Sequence, residues 1–477
     1  MNGDLMVDTA WTPPFDASRA ADFLEGVVNA TPPASGRHGP SLDDTMAALA
    51  GLGLPPGAAV AFALSNSAQT VRLYLSALLL GLVPLMVAPT TPSARVREIA
   101  RRLDVRAVVA GRLDPARYQA DRVHALGDAE AVLLDGPHAA RTPYAAGQVL
   151  LSTSGTSGMT SACLHGLDAL LRNAHRHARA VGMTGGDTVL VNLPLYYSYA
   201  MVAQVLAAYV TGARLVVSGP PFSVPDYRRA LTDHGVTQSS ITPTIARRLP
   251  VGGEGPPLPR GLRVLTVGGD QLPAAAVASL LAARPDGELY LTYGLTEAGP
   301  RVATLAAHAE PAHRHSSVGL PLPGVRTWLR QSDDEGCGEL MVESDTVLLR
   351  KIGAAPAAGR ALVRPGVVAT GDVFRIDEDG YLHFRGRLSD FVMIRGEKVS
   401  LTGVRQAAQT LPQVTHCRPR VSVDPDGSTA LDLEIAVTDP LPGVEEAVRR
   451  ALNAMLLPVE RPRRIVVTAA DPLLFRK

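Results

Sequence analysis

One loop of this 477-residue sequence reads Leu151-Ser152-Thr153-Ser154-Gly155-Thr156-Ser157-Gly158-Met159-Thr160-Ser161, and hydroxyl side chains and glycines dominate it. The apolar residues 149–151 at its start are typical of the end of a buried strand. Glycine lets backbone N–H groups turn toward a ligand, and short hydroxyl side chains add hydrogen-bond donors without bulk. The loop therefore suits a polyphosphate, although an exposed loop without a ligand can have the same composition.

Apolar strands alternate with helical segments on both sides of this loop. The predicted strands cover residues 58–64, 83–88, 107–110, 188–191, 214–218, 263–267 and 289–293. The predicted helices cover residues 42–52, 70–80, 93–103, 167–181, 201–211, 227–234, 243–249 and 274–283. Fully apolar strands that alternate with helices predict a parallel sheet covered on both faces, which is an α/β fold.

The pattern changes near residue 316, where short strands and turns replace the alternation as far as about residue 388. The segment beyond it is long enough to bury a core of its own. We therefore predict a large N-terminal domain, residues 1–388, of doubly covered, mainly parallel sheets plus a small β-rich subdomain. A small, mobile α+β C-terminal domain, residues 389–477, follows it. Residues 1–40 are rich in Pro, Gly and Ala, and we predict a loosely packed leader there.

Composition and charge argue against several classes of protein. Lys and Arg number 46 against 45 Asp and Glu, so the net charge of +1 gives no basic field for nucleic acid. The three cysteines lie far apart without a CxxC pair, which argues against a disulfide scaffold or a zinc cluster. The start of the sequence lacks a signal-peptide pattern, and Gly81 and Pro84 interrupt the most apolar stretch, residues 73–89. We expect a cytoplasmic protein without nucleic-acid or membrane partners.

Four further segments follow the loop along the chain. They are Gly268-Gly269-Asp270, Tyr293-Gly294-Leu295-Thr296-Glu297, Thr370-Gly371-Asp372 and Gly386-Arg387-Leu388-Ser389-Asp390. The first two stand where predicted strands end, and ligands bind at the carboxyl ends of parallel strands. In order and spacing, the loop and these segments resemble the adenylate-forming superfamily, which comprises acyl- and aryl-CoA ligases, non-ribosomal-peptide adenylation domains and luciferases. The resemblance extends from about residue 41 to the end of the sequence.

This resemblance implies that ATP activates a carboxylic acid. The acid carboxylate attacks the α-phosphate and gives an acyl-adenylate and pyrophosphate, so positioning and electrostatics supply most of the catalysis. The residues that the resemblance assigns to the β- and γ-phosphates are Thr153, Ser154, Gly155, Thr156, Ser157 and Gly158.

Further nucleotide contacts are implied in the same way. The residues concerned are Gly268, Gly269, Asp270, Tyr293, Gly294, Thr296, Asp372 and Arg387. Tyr293 stacks on adenine, Thr296 donates to the α-phosphate, and Asp372 accepts from the ribose hydroxyls. Glu297 helps to hold Mg²⁺, a hard cation that prefers oxygen ligands. Taken alone, Thr-Gly-Asp is usually a turn and Glu297 a solvated surface acid, so the assignment depends on the segments occurring together.

Two departures from the family pattern concern charged residues. The family loop continues with Pro-Lys-Gly, whereas Thr160-Ser161-Ala162 stand here, so the phosphate-binding lysine is missing. Ser161 donates a hydrogen bond but carries no charge, so we expect either slower pyrophosphate release or a second source of positive charge. At the hinge between the domains, where the family has aspartate, this chain has Ser389 with Asp390 next to it.

The catalytic lysine of the family's tail is matched only loosely. The sequence ends in Asp471-Pro472-Leu473-Leu474-Phe475-Arg476-Lys477. Its terminal lysine is one residue short of the usual distance from the proline, and it lacks the preceding glycine. We predict that Lys477 reaches the acid and the α-phosphate as a flexible point charge, the alternative being a frayed, solvated terminus.

The segment Leu193-Pro194-Leu195-Tyr196-Tyr197-Ser198-Tyr199-Ala200 resembles the substrate-binding side of the family. Members that activate amino acids have an aspartate there for the α-amino group. This chain has Tyr197 or Ser198 at that place, so we do not expect an α-amino acid substrate. Tyr196, Tyr197 and Tyr199 offer apolar rings with phenolic donors, which suits an aryl or small functionalised acid. The alternative is that these tyrosines pack beneath the nucleotide.

Three functions are compatible with these observations. The first is an ATP-dependent acid ligase that transfers the acyl group to CoA or to the phosphopantetheine thiol of a carrier protein, its C-terminal domain rotating about Ser389 between the steps. The second is a ligase of the same superfamily that activates nitrite or joins an amine. The third is a degenerate nucleotide-binding protein, against which the presence of Thr296, Glu297, Asp372 and Arg387 argues.

Overall fold

The computed structural model describes residues 13–31, 39–134, 142–153, 161–249, 257–333, 335–353, 361–394, 397–423, 429–456 and 458–469. Of the predicted site residues, Ser154, Gly155, Thr156, Ser157, Gly158 and Lys477 lie outside these ranges.

Twelve α-helices lie in the described part of the chain. They are α1 Ala17–Glu25, α2 Leu42–Ala50, α3 Ala68–Leu79, α4 Ser93–Leu103, α5 Leu167–Ala180, α6 Ser198–Ala200, α7 Ala207–Thr211, α8 Val224–Asp233, α9 Pro243–Ala246, α10 Ala274–Ala283, α11 Leu401–Gln409 and α12 Val444–Met455. A π-helical segment, Met201–Leu206, joins α6 to α7 without a break. None of the helices within the described ranges has both the length and the apolar character that crossing a bilayer requires.

The β-strands are mostly short. They are β1 Val27–Asn29, β2 Ala59–Ala63, β3 Val83–Met86, β4 Val105–Ala110, β5 His124–Leu126, β6 Ala129–Leu133, β7 Gln148–Thr153, β8 Ser161–Gly166, β9 Thr188–Val191, β10 Arg214–Val217, β11 Gln238–Ile241, β12 Val264–Gly268, β13 Glu288–Gly294, β14 Arg301–Ala306, β15 Leu320–Pro321, β16 Arg326–Arg330, β17 Cys337–Glu343, β18 Arg350–Ile352, β19 Leu362–Arg364, β20 Val367–Ile376, β21 Leu382–Arg387, β22 Phe391–Ile394, β23 Glu397–Ser400, β24 Val414–Val423, β25 Thr429–Val437 and β26 Arg464–Ala469.

Two eight-stranded sheets confirm the predicted α/β fold. The first has the order β1-β10-β9-β11-β12-β13-β14-β15 and is parallel from β1 to β13, with an antiparallel edge. The second has the order β18-β8-β7-β3-β2-β4-β6-β5, in which β7, β3, β2 and β4 are parallel. Both sheets share a core with the helices between them, which includes Phe62 of β2, Leu170 of α5 and Leu190 of β9. The central strand β2 is buried along its whole length, as its unbroken apolar sequence predicts.

The remaining strands form smaller sheets. Strands β16, β17, β19, β20 and β21 form a five-stranded sheet, β22 and β23 form a hairpin, and β24, β25 and β26 form a three-stranded sheet. In the last of these, α11 and α12 pack around a core that contains Leu433, Ile435 and Leu452. The C-terminal segment therefore has its own hydrophobic core, of the α+β type that its sequence predicts.

The chain divides into two compact units. The first contains Met1–Trp328, Met341–Thr370 and Asp377–Leu382, and the second contains Leu329–Leu340, Gly371–Ile376 and His383–Lys477. The second unit is the smaller and includes residues on both sides of the boundary between residues 388 and 389. That boundary, as the border of a mobile domain, stays a prediction.

The prediction of a loosely packed leader over residues 1–40 is wrong for the part that the structure describes. Helix α1 begins at the N-cap Asp16, whose side chain accepts from the backbone of Arg19. It buries Ala20, Phe23 and Leu24, which stand at helical spacing on one face, and β1 then pairs with β10 at the edge of the first sheet. Proline and glycine on either side of this short element hide its periodicity in the sequence.

We expect Phe23→Ala to destabilise the first unit by about 3 kcal/mol, because the ring is buried and packs edge-on against Tyr209 at 5.5 Å. Urea denaturation followed by circular dichroism measures the change. Asp22→Ala, which shortens the exposed neighbouring side chain on the same helix, serves as the control and should change stability by less than about 0.5 kcal/mol. Equal effects of the two substitutions would contradict the packing role of α1.

Candidate active site

The loop at residues 151–161 joins two antiparallel neighbouring strands, β7 and β8. Thr153 is the last residue of β7, Ser161 is the first residue of β8, and these two residues pair with each other. The backbone on either side of the predicted phosphate loop is thus fixed by the second sheet. Ser161 is buried, so the residue that replaces the family's lysine faces the interior.

Glycine is required at the carboxyl end of β12 for steric reasons. A Cβ atom at Gly268 would collide with Thr292 Oγ1, and Gly269 has φ +94°, a conformation that other residues adopt only with strain. Asp270 is exposed, and one of its carboxylate oxygens accepts from the backbone N–H of Gln271 at 2.8 Å. Packing against Thr292 and the positive φ of Gly269 therefore constrain the backbone of this predicted adenine-side segment.

The segment Tyr293–Glu297 lies at the carboxyl end of β13, next to β12. The pairing of β13 with β14 is irregular between Tyr293 and Gly294, and a Cβ atom at Gly294 would collide with the carbonyl oxygen of Pro300. The next predicted contact, Thr296, lies in the turn after the strand, and its Oγ1 is 3.0 Å from Ser198 Oγ. Because Ser198 begins α6, the structure brings the predicted α-phosphate donor and the predicted substrate segment together.

Glu297 makes an ion pair that the sequence did not reveal. Lys351 Nζ is 2.8 Å from Glu297 Oε1, and the two side chains are only 14 % and 16 % exposed. Lys351 lies on β18, where it pairs with Cys163 of β8, two residues beyond Ser161. Burial alone lowers the pKa of Lys351, but the charge and hydrogen bond of Glu297 outweigh it and raise the pKa overall. A positive charge therefore stands beside the strand that leaves the phosphate loop.

Two titratable groups near this pair, His165 and Cys163, are uncharged at neutral pH. Burial lowers the pKa of His165 to about 4, although the backbone of Thr296 and the charge of Glu297 act in the opposite direction. Burial also raises the pKa of the Cys163 thiol well above its ordinary value, and Glu297 adds to this effect. At neutral pH, neither the imidazole nor the thiol has the charge or reactivity expected of an acid–base or nucleophilic catalyst.

The three predicted substrate tyrosines have different surroundings. The rings of Tyr196 and Tyr197 lie 4.6 Å apart and are tilted by 54°, and burial, with a smaller contribution from Tyr196, raises the pKa of Tyr197 to about 12. Tyr199 is buried, and its hydroxyl lies 3.1 Å from Thr266 Oγ1 on β12. Tyr199 thus packs beneath the strand ends, whereas Tyr196 and Tyr197 remain partly exposed, and the role of all three tyrosines in binding a substrate stays a prediction.

A further charged residue, Arg301, was missed by the sequence analysis. It is the first residue of β14, and its guanidinium carbon lies 4.4 Å from the centre of the Tyr199 ring. Its Nη1 donates to Thr292 Oγ1 at 2.9 Å. No strand was predicted over residues 301–306, so nothing in the sequence indicated that this arginine is buried.

The second unit holds the predicted ribose-binding pair. Arg387 Nε lies 3.2 Å from Asp372 Oδ1, and the aspartate is nearly buried whereas the arginine is largely exposed. Gly371, with φ +72°, donates its backbone N–H to Glu339 Oε1 at 3.0 Å and so fixes the backbone of β20 immediately before Asp372. Ser389, the predicted hinge residue, lies in the 3₁₀ turn Leu388–Asp390.

Magnesium suits the carboxylate of Glu297. Within the described ranges, no group of three or more His, Cys, Asp or Glu side chains is arranged to hold a metal ion. Mg²⁺ needs no such group, since it usually keeps several waters and binds one or two carboxylates together with substrate phosphates. A single partly buried carboxylate such as Glu297 fits this pattern.

Comparison with known proteins places these segments in a family. The family model described as "AMP-binding enzyme" matches residues 43–349. The chain belongs to this family. The match includes the loop at residues 151–161, the glycines at the end of β12 and the segment Tyr293–Glu297, which confirms the resemblance to adenylate-forming enzymes.

Individual relatives of this AMP-binding enzyme are distant. A 4-coumarate–CoA ligase-like protein of Oryza sativa is 27% identical over 276 residues, which cover 56% of this chain and 49% of the relative. The chain spans about half the length of the first curated relatives that it matches.

Two solved structures share the fold. An o-succinylbenzoate CoA synthetase from Bacillus subtilis, in complex with its acyl-adenylate intermediate, has a TM-score of 0.76 and 19% identity, with 90% of this chain and 88% of that chain covered. An amide bond synthetase from Marinactinospora thermotolerans has a TM-score of 0.74 and 22% identity, with 95% of each chain covered.

We expect Glu297→Gln to destabilise the first unit by about 1–3 kcal/mol, because it leaves the ammonium of Lys351 partly buried without a counter-charge. The double variant Glu297→Gln/Lys351→Met should recover much of the loss, which a double-mutant cycle of urea denaturation measures. Since folding raises the pKa of Lys351, the coupling is fully present below about pH 10.5 and is lost as the pH rises through the raised value. Additive effects of the two single substitutions would contradict the pair's role.

Proposed function

We propose that this AMP-binding enzyme uses ATP to activate a carboxylic acid as an acyl-adenylate and then transfers the acyl group to a thiol. The main observation behind the proposal is that the predicted nucleotide segment and the predicted substrate segment lie next to each other in the first unit. Thr296, from the nucleotide segment, contacts Ser198 of the substrate segment at 3.0 Å, at the carboxyl ends of parallel strands where ligands bind.

In the first step, a carboxylate oxygen of the acid forms a bond to the α-phosphorus, the bond to the bridging oxygen breaks, and pyrophosphate leaves. Thr296 donates to an oxygen of the α-phosphate. Mg²⁺ held by Glu297 would neutralise charge on the phosphates. A solved structure of the Bacillus subtilis synthetase contains ATP and a magnesium ion, which supports the use of both here. The phosphates are held by residues 153–158, with Asp372 and Arg387 on the ribose.

Lys351 supplies the second source of positive charge that we expect where Ser161 replaces the loop lysine. Its ammonium is partly buried beside Glu297, on the strand that pairs with β8. A lysine ammonium is a compact point charge that binds phosphate well. Lys477, if it reaches the α-phosphate, adds a charge from the end of the chain during adenylation.

In the second step, a thiolate attacks the carbonyl carbon of the acyl-adenylate and AMP leaves. The acceptor that we propose is CoA or the phosphopantetheine of a carrier protein, and the C-terminal domain rotates about Ser389 between the steps. The acid is aryl or small and functionalised, because Tyr196 and Tyr197 present half-buried rings beside Ser198. An α-amino acid lacks its usual aspartate partner at this place.

A second candidate differs only in the acceptor. The fold shared with an amide bond synthetase over 95% of both chains favours an amine acceptor over an unrelated reaction, and nitrite activation belongs to the same group of chemistries. Product mass spectrometry with CoA, an aryl amine and nitrite as competing acceptors separates the candidates. Calorimetry that detects no binding of ATP with Mg²⁺ would instead support a degenerate protein.

We expect acid-dependent ATP–pyrophosphate exchange, measured across a panel of aryl and aliphatic acids. Glu297→Gln should reduce exchange by about 100-fold or more, since it removes the metal-binding carboxylate. Lys477→Ala should reduce adenylation by a similar factor if the terminal lysine is catalytic, and unchanged adenylation would remove it from the site. A matched control is Glu25→Gln on α1, which is exposed and should leave exchange unchanged. Folded protein without exchange for any acid would contradict the proposed function.

A further inference from the structure

Arg301 is a buried cation without a carboxylate partner among the residues that the structure describes. Its side chain is 3% exposed, and no described Asp or Glu oxygen lies within 4.0 Å of it. Two carboxylates of the first unit have other partners, since Asp345 pairs with Arg172 and Arg176, and Glu297 pairs with Lys351. Buried charges in proteins are normally paired, because an unpaired ion loses its hydration without compensation.

The guanidinium also retains donor capacity. Nη1 donates to Thr292, whereas Nε is buried and has no acceptor among the described residues. Nη2 lies beside Gly294, where an added Cβ would be only 2.5 Å away from it. Nε and Nη2 form one edge of the planar guanidinium, the edge that receives both oxygens of a carboxylate or sulfonate.

Hydrogen bonds fix the backbone of Arg301, and Thr292 and the Tyr199 ring hold its guanidinium. Asn173 on α5 donates its side-chain amide to the Arg301 carbonyl at 2.9 Å and accepts from the Arg301 N–H at 2.9 Å. The neighbouring His177 adds no second positive charge, since burial, followed by the charge of Arg301, lowers its pKa to about 3 and keeps it neutral. A preorganised cation whose surroundings are neutral is the arrangement that binds an anionic ligand group best.

The location of the guanidinium is the candidate site itself. It lies over the ring of Tyr199, which belongs to the substrate segment, and against Gly294, which belongs to the nucleotide segment. Thr292 accepts a hydrogen bond from Arg301, and it is also the residue with which a Cβ atom at Gly268 would collide. The charge therefore stands below the carboxyl ends of β12 and β13, where the acid would bind.

We propose that Arg301 binds a second, non-reacting anionic group of the acid, so that the substrate is a dicarboxylate or a sulfonated carboxylate. This inference rests on the proposed function. The reacting carboxylate is the poorer partner, because it loses its charge on becoming an acyl-adenylate and would leave the arginine unpaired. An anionic group that takes no part in the reaction stays paired with Arg301 in the substrate, the transition state and the adenylate.

The experiment compares acids that differ only in the second group. Benzoate is tested against isophthalate and 3-sulfobenzoate, and butyrate against glutarate and 4-sulfobutyrate, by ATP–pyrophosphate exchange, which needs no acceptor. The wild type should prefer one of the dianions over its matched monoanion by at least about 30-fold in kcat/KM. Arg301→Gln should abolish the preference mainly through a higher KM, because binding to a spectator group is equal in ground and transition states. Arg301→Lys keeps the positive charge but loses the two parallel donors of the guanidinium, so its dianion preference should lie between those of the wild type and Arg301→Gln.

Stability distinguishes a ligand-binding arginine from a structural one. Without substrate, the melting temperature of Arg301→Gln should equal or exceed that of the wild type, since an uncompensated buried charge is removed. Arg19→Gln is the matched control, because Arg19 also lies over a tyrosine ring, at 5.5 Å from Tyr209, and it should keep the dianion preference.

The outcomes separate the two proposals. Exchange that favours monoanionic acids, or a dianion preference that both Arg301 variants retain, overturns the role of Arg301 and leaves the proposed function standing. A large loss of stability in Arg301→Gln with unchanged acid preference does the same. Folded wild-type protein that shows no exchange with any acid overturns both.

Discussion

The carboxyl ends of β12 and β13 are packed so closely that a side chain cannot be accommodated at two positions. At Gly268 it would meet Thr292, and at Gly294 it would meet Pro300 and Arg301. Because nothing protrudes at Gly294, β14 can approach β13 across an irregular pairing and extend an arginine toward Tyr199. The turn that follows carries Thr296 to the start of α6. The positions of Arg301 and Thr296 at this sheet edge thus depend on glycine, which has no side chain, at positions 268 and 294.

Charge in the described part of this site belongs to groups that bind rather than to groups that transfer protons. The imidazole of His165 and the thiol of Cys163 are both neutral at pH 7, the first through a lowered pKa and the second through a raised one. Around β8, β13 and β14, charge is carried by Glu297, Lys351 and Arg301. Such a distribution suits phosphoryl chemistry, in which a good leaving group departs and electrostatic positioning supplies most of the catalysis.

The sequence predicted the elements that have long apolar runs or clear helical spacing. The fully buried strand β2 and the helix α4 are examples, since a single strong pattern determines each of them. It failed for α1 and β1, where Pro and Gly surround a short amphipathic element, and for the antiparallel strands β5 and β6. Pairing across a sheet depends on distant partners, and local periodicity contains no information about them.

The same limit applied to the site. Glu297 and Thr296 could be identified because they lie within one short segment. Lys351 could not, because it reaches Glu297 only through the pairing of β18 with β8, across 54 positions of the chain. Arg301 follows Gly294 by only seven residues. What distinguishes it is burial without a counter-charge, and burial is a property of the folded state that the local sequence does not reveal.

Pairing of β18 with β8 also has a consequence for synthesis on the ribosome. Strand β8 and the segment around Glu297 emerge well before Lys351, which belongs to the part of the first unit that follows Leu329–Leu340. Until residue 351 is available, the edge of β8 is uncovered and Glu297 lacks its cation. The first unit is discontinuous in the chain, and the ion pair of its site is completed by β18, which is made after most of that unit. A nascent chain that ends near residue 328 contains most of the fold but not the charge balance of the site.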